Sequence, residues 1–185
     1  MVSTISKPIS LEAFLQLPET KSASEFINEK ITQKPMPQGK HSRLQFKVSA
    51  AINQIAENSK IAIAFPELRC SFGGGSIVPD IAVFRWERIP RDENGQVADK
   101  FLTYPDWSIE ILSPQQGADK VLVKILHCIE HGTELGWLIV PEAQHIFVIS
   151  SDRRIQLLQG EQILPMLNGI ELELTSNQVF EWLNF

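Results

Sequence analysis

Cysteine is scarce in this chain. Cys70 and Cys128 are its two thiols, far apart and without CxxC spacing. That excludes a disulfide scaffold and argues against a structural zinc site. Positive charge is not in excess either. The formal net charge is −5 and the pI is near 5.4, so the chain is no generic basic coat for nucleic acid, although a local basic groove is compatible with that balance. No run approaches the roughly 18–20 apolar residues of a membrane span. The opening residues, Met1 to Pro8, lack a charged stretch followed by an apolar one, so no secretory leader is expected there. Gly73-Gly74-Gly75 is not followed by GK[ST], so it is not a P-loop. There is no internal repeat and no low-complexity segment. These absences point to a cytoplasmic protein with no membrane segment. Its 185 residues, 43% hydrophobic and 21% charged, suit one domain over 1–185, with residues 1–9 expected as a flexible N-terminus.

What is present reads as helices and strands in alternation. Ser10 to Leu17 predicts a short helix: Ser10 is a suitable N-cap, Leu11, Phe14 and Leu15 share a face, and Pro18 stops it. Glu25 to Ile31 predicts the start of a hairpin bending near Asn28-Glu29. Lys34 to Gly39 is a loop. From His41 to Asn58, Leu44, Val48, Ala51, Ile52 and Ile55 recur at helical spacing. Lys40, Arg43 and Lys47 at the same end offer either a solvated face or a phosphate-contacting edge. Ile61 to Phe65 and Leu68 to Phe72 predict strands, and Gly73-Gly74-Gly75 predicts a turn that delivers Ile77 to Phe84, in which Pro79 belongs at a strand edge or start and Asp80 at the strand mouth. Residues 86–105 form a polar excursion with Asn94-Gly95 at the tip. Trp107 to Leu112 is the next strand. Gln115 to His131 follows as a helix with Val121, Ile125, Leu126 and Ile129 as its buried stripe and Gly132 past its end. Trp137 to Val140 and His145 to Ile149 form a hairpin, with Arg154 to Leu158 pairing next. Gly169 to Leu174 alternates like a half-exposed strand, and Val179 to Leu183 closes the chain as a short helix. This order predicts an α/β fold of the α+β kind, a central mixed β-sheet flanked by helices.

Two apolar runs each carry a carboxylate. Asp80 opens one and Glu110 sits inside the other. Such an acid is either a core group paired with Arg or Lys, or half of a metal-binding acidic pair. If the two strands are neighbours, Asp80 and Glu110 meet. The helix that follows carries Lys120 and Lys124, four apart and therefore on one face. Two carboxylates with a nearby ammonium suit Mg²⁺-dependent phosphodiester hydrolysis. An acid at a strand end is also commonly an ordinary ion pair, and helix-face lysines are commonly solvated. Glu25, a lone acid near a strand end, reads as surface. His41, in the first turn of its helix, reads as an end residue or a local hydrogen-bonder unless that helix start faces a phosphate or an acid.

The segments Ile77-Val78-Pro79-Asp80-Ile81-Ala82-Val83-Phe84, Pro105 through Pro114, and Gly132 through Val140 resemble the restriction-endonuclease family, best represented in cyanobacteria, within the PD-(D/E)XK nuclease superfamily. So do the Phe14-Leu15-Gln16-Leu17-Pro18 helix, Glu25-Phe26-Ile27-Asn28, and Gly39-Lys40-His41-Ser42. The similarity runs over about residues 10–183. Each motif is short; their order and spacing together are specific.

The resemblance implies a restriction-endonuclease-like core and a DNA endonuclease dependent on Mg²⁺ or Mn²⁺. Asp80 would be the acid of the Pro-Asp motif and Glu110 the second acid, both ligating the metal. Leu112 stands where the superfamily has its Lys, so the E-x-K pattern is absent and the cation would come from the helix. Lys124 has the expected spacing and Lys120 competes with it. Glu25 and His41 resemble the family's N-terminal acid and helix-start His. Asn28-Glu29 replaces the usual Asp-Gly turn, which puts the placing of Glu25 in question. A homodimer would suit double-strand cleavage. The competing reading is a catalytically silent nuclease-fold protein that binds nucleic acid or serves assembly, favoured by the motif departures and the acidic pI. A third is an accessory protein of a toxin system or mobile element.

Overall fold

The computed structural model describes residues 9–114 and 116–185. Most of the segment expected to be flexible, and the Gln115 start expected for the second long helix, lie outside the described residues. Ser10 caps α1 (Leu11–Phe14) through its hydroxyl, which accepts from Ala13 N. A hairpin follows, β1 (Ser24–Ile27) and β2 (Lys30–Gln33). Its two-residue turn has Asn28 at φ 50° and Glu29 at φ 60°. Two consecutive left-handed residues match the right-handed twist of the strands, so the bend survives without the Asp-Gly pair and Glu25 keeps its place.

Next come α2 (Gly39–Ala56), β3 (Ala62–Pro66), β4 (Cys70–Phe72), β5 (Gly75–Ile77) and β6 (Ile81–Arg85). Gly73 and Gly74, both at positive φ, turn the chain from β4 into β5. The stretch from Ile77 to Phe84 is divided at Pro79, where a strand edge or start is expected, and Asp80 stands at the mouth of β6. β5 pairs in a four-stranded sheet of order β2-β1-β5-β4, and β6 pairs in the larger sheet. Val78-Pro79-Asp80 makes the change between them. Pro79 has no N–H to continue a ladder, which is the reason for the break.

After the excursion come β7 (Trp107–Ile111), α3 (Ala118–Glu130), β8 (Leu135–Val140), β9 (His145–Ser150), β10 (Ile155–Gln159) and α4 (Ser176–Glu181). The excursion contains a short 3₁₀ turn at Trp86–Arg88 and is clasped by buried Asp106. Its carboxylate accepts Arg85 N at 2.8 Å and Arg88 Nη1 at 2.5 Å. The larger sheet runs β10-β9-β8-β7-β6-β3, antiparallel except for the β7–β8 pair, which α3 connects. Thr175 and Gln178 close α4 with a reciprocal capping box. Gly169 to Leu174 is no strand. Its alternating burial holds, yet the nearest ladder contact is one bridge, Ile163 to Thr175. Alternation records which side faces the core and not whether a partner strand lies alongside.

β7 is buried along its whole length, as a central strand covered on both faces must be. Trp107, Ile109 and Ile111 join one core with Leu44, Val48 and Ile52 of α2, together with Trp137 and Ile139 of β8. Trp107 and Trp137 meet edge-to-face, 4.6 Å between ring centroids. α3 covers the opposite face. Val121, Ile125 and Ile129 pack there with Leu138 and Ile149, while Leu126 is only half-buried. Gly136 lets α3 approach, since a Cβ there would lie 2.3 Å from Ile125 Cγ2. Side chains alternate along a strand. With Ile109 and Ile111 committed to the α2 side, Glu110 turns toward α3.

Candidate active site

β6 and β7 are antiparallel neighbours with Ile81 opposite Ile109. Asp80 stands one residue before that pair and Glu110 one after it, so the two acids come to the same end of adjacent strands. Both are 2% exposed. They line one small cavity of about 30 Å³ together with Lys34, His41, Glu67, Ser113 and Gln116. That volume admits a water or two, or a single ion.

Asp80 is held from three sides. Its Oδ2 accepts Ile111 N at 2.7 Å and lies 3.1 Å from His41 Nε2. Its Oδ1 lies 2.7 Å from Lys34 Nζ. With Nε2 facing a carboxylate, that nitrogen is the one carrying the proton toward Asp80. Burial by itself would raise this carboxyl. The His41 hydrogen bond and the Lys34 charge outweigh burial and hold it well below the usual carboxylate range. Asp80 is therefore a carboxylate at neutral pH.

Glu110 is placed differently. Its Oε2 lies 2.8 Å from Lys124 Nζ, and its Oε1 is buried with no hydrogen-bond partner among the described residues. Burial disfavours its charge, and neighbouring Asp80 adds to that, while the Lys124 ammonium opposes both. Burial would likewise depress the Lys124 ammonium, but Glu110, Glu25 and Asp80 together hold it above its ordinary range. These shifts pull in opposite senses, one toward a neutral acid and the other toward an ion pair. We take the ion pair, because Nζ sits 2.8 Å from Glu110 and also 2.8 Å from Glu25 Oε1.

Glu25, expected at the surface, is 7% exposed. Its Oε1 also accepts Val78 N at 2.8 Å, so one carboxylate ties β1 to the segment that delivers Asp80 and fixes Lys124. His41, in the first turn of α2, faces an acid. The structure thus gathers Asp80, Glu110, Lys124, Glu25 and His41. Lys120 it does not gather: one turn earlier on α3, it is exposed to solvent. Lys120 and Lys124 lie one turn apart, and only Lys124 is buried against the acids. Lys40 pairs with exposed Glu142, and Arg43 donates to Trp182 O.

Three members had no clear mark in the sequence. Lys34 opens a segment that reads as a loop. Gln45 donates to Asp80 O at 2.7 Å and to Glu67 Oε1 at 3.2 Å, and Glu67 accepts Lys34. Lys34 and Gln45 lie 46 and 35 positions from Asp80 in sequence. A Lys directly before Pro35, where the chain must stay extended, was the one available hint.

A six-stranded mixed sheet flanked by helices, with a buried acid pair at one end of its central strands, is a restriction-endonuclease-like fold. The chain belongs to the Uma2 family, described as "Putative restriction endonuclease", which matches residues 11–178. Among solved structures, a crystal structure of "a putative nuclease belonging to DUF820" from Anabaena variabilis ATCC 29413 is similar over 95% of this chain and 99% of that one, with 50% sequence identity and a TM-score of 0.93. No curated protein matches the chain. Among the described residues, no helix is long and apolar enough to cross a membrane.

Proposed function

We propose that this protein is a nuclease that hydrolyses phosphodiester bonds in DNA with the help of Mg²⁺ or Mn²⁺. The observation that carries this reading is the pairing of Asp80 and Glu110 on one cavity with the Lys124 ammonium 2.8 Å from Glu110. Family membership supports the nuclease class. Among the described residues, no group of three or more His, Cys, Asp or Glu could by itself hold a metal. Mg²⁺ does not require one: it commonly uses one or two carboxylates and completes its shell with water and substrate phosphate oxygens. The donor set fits, being two hard oxygen ligands, and the partnerless Glu110 Oε1 is a buried acceptor in want of a cation.

Asp80 and Glu110 would hold the ion, whose chemistry is to neutralise charge on the phosphate and to lower the pKa of a bound water. Hydrolysis forms a bond from a water oxygen to phosphorus and breaks the bond to one sugar oxygen, which leaves with a proton. Lys124 supplies a fixed positive charge beside that event, pre-oriented by Glu25. His41 and Ile111 N fix the rotamer of Asp80.

Purified protein should nick supercoiled plasmid DNA when Mg²⁺ or Mn²⁺ is supplied and stop when EDTA is added. Equal nicking by an Asp80→Ala variant would overturn the assignment. A second reading, the catalytically silent nucleic-acid-binding or assembly module, is favoured by one observation: Lys34, His41 and Lys124 already partner both acids. Mn²⁺ titration separates the two, since that module would take up no ion at Asp80 and Glu110.

A further inference from the structure

The role of Lys34 is unassigned in the reading above. Its backbone is pinned beside the hairpin: N donates to Ala23 O at 2.9 Å and its carbonyl accepts the Ser22 hydroxyl. The side chain, 9% exposed, runs inward to Asp80. Nζ contacts Asp80 Oδ1 at 2.7 Å, Val78 O at 2.9 Å, and Glu67 Oε1 and Oε2 at 3.0 and 3.2 Å. The other Asp80 oxygen already has Ile111 N and His41. Oδ1 is therefore the oxygen through which Asp80 can take a further cation, and an ammonium is sitting on it.

We infer that Lys34 is a built-in competitor for the divalent ion, and that ion loading moves its ammonium off Asp80 onto Glu67. This rests on the reading of Asp80 and Glu110 as ligands. The argument is electrostatic. Two cations on one carboxylate oxygen in a buried site repel strongly, because little solvent lies between them. Glu67 provides the alternative partner: it is half-exposed, is steadied by Gln45, and already touches Nζ with both oxygens. The exchange keeps the ammonium paired in both states, so neither state buries a lone charge. Without the ion, the same ammonium keeps Asp80 satisfied and the cavity closed to other cations.

Two measurements on the full chain test this. First, Mn²⁺ is titrated and the free ion is followed by electron paramagnetic resonance. Lys34→Met retains the aliphatic stem and removes the charge, and should bind Mn²⁺ about tenfold more tightly than the wild type. Equal or weaker binding overturns the inference. Second, wild-type protein is treated with an amine-acylating reagent and labelling at Lys34 is read by mass spectrometry. Mn²⁺ should increase labelling at Lys34, and not in Asp80→Asn. Mn²⁺ bound through Asp80 with Lys34 labelling unmoved overturns the exchange and leaves the nuclease reading standing. No Mn²⁺ bound by any of these proteins overturns both.

Discussion

Lys124 Nζ lies 2.8 Å from Glu110 Oε2 and 2.8 Å from Glu25 Oε1, although Lys124 and Glu25 are 99 residues apart. One ammonium thus joins α3, the central strand β7 and the N-terminal hairpin. Removing it leaves two buried carboxylates without their counter-charge. Lys124→Met should cost about 3 kcal/mol of stability, a drop of roughly 6–12 °C in melting temperature for a chain of this size. Plasmid nicking should fall about 100-fold. Thermal melts beside a nicking assay give both quantities.

Glu110 should separate stability from activity. Burial disfavours its charge, and Lys124 keeps Glu25 as a partner when Glu110 is neutral. Glu110→Gln should therefore melt at the wild-type temperature or above it while losing about 100-fold or more in nicking, a stability–activity trade-off of a familiar kind. A variant that is both active and destabilised would place Glu110 in the structure alone.

His127 should make stability pH-dependent. It is buried, stacked on Phe72 at 5.1 Å, and lies against His131. Burial, with the neighbouring His131 charge second, lowers its pKa from the ordinary value. The unfolded chain then takes up the proton first as pH falls. The stabilisation is complete above the unfolded value of about 6.5 and is lost as pH drops below it toward the folded value. Melting temperature should decline from pH 7 to pH 5.5, and His127→Gln should flatten that decline.

Gly136 should not tolerate a methyl group. Its Cβ would fall 2.3 Å from Ile125 Cγ2, so Gly136→Ala must push α3 away from β8. Overpacking of this kind costs about 1–3 kcal/mol. Because Lys124 precedes Ile125 on the same helix, nicking should fall along with the melting temperature.

Glu29 offers the opposite sign. It holds φ 60° in the tight turn between β1 and β2 while exposed to solvent. A non-glycine residue in that region is strained by about 1–2 kcal/mol, and part of this returns as unfolded-chain entropy when Gly is introduced. Glu29→Gly should raise stability by roughly 0.5–1 kcal/mol, measurable by chemical denaturation, with nicking unchanged.

Much of this molecule is determined locally and was legible from the chain alone. Ser10 as a cap, the spacing of Leu44, Val48 and Ile52, the break at Pro79, Gly132 after α3, and the hairpin from Leu135 to Ser150 all follow from backbone chemistry and periodicity acting over a few residues. The acid pair was legible for the same reason: a carboxylate inside an apolar run is conspicuous wherever it lies. What the tertiary structure alone decided are the partners across long separations. It chose Lys124 over Lys120, because only Lys124 is buried against the acids. It buried Glu25, which looked like surface because burial depends on what packs above a strand. It sent the segments on either side of Pro79 into different sheets, left Gly169 to Leu174 without a strand partner, and carried Lys34 onto Asp80 across 46 positions. Local pattern states what each segment can bury; only the assembled fold determines which charges are brought within a hydrogen bond of one another.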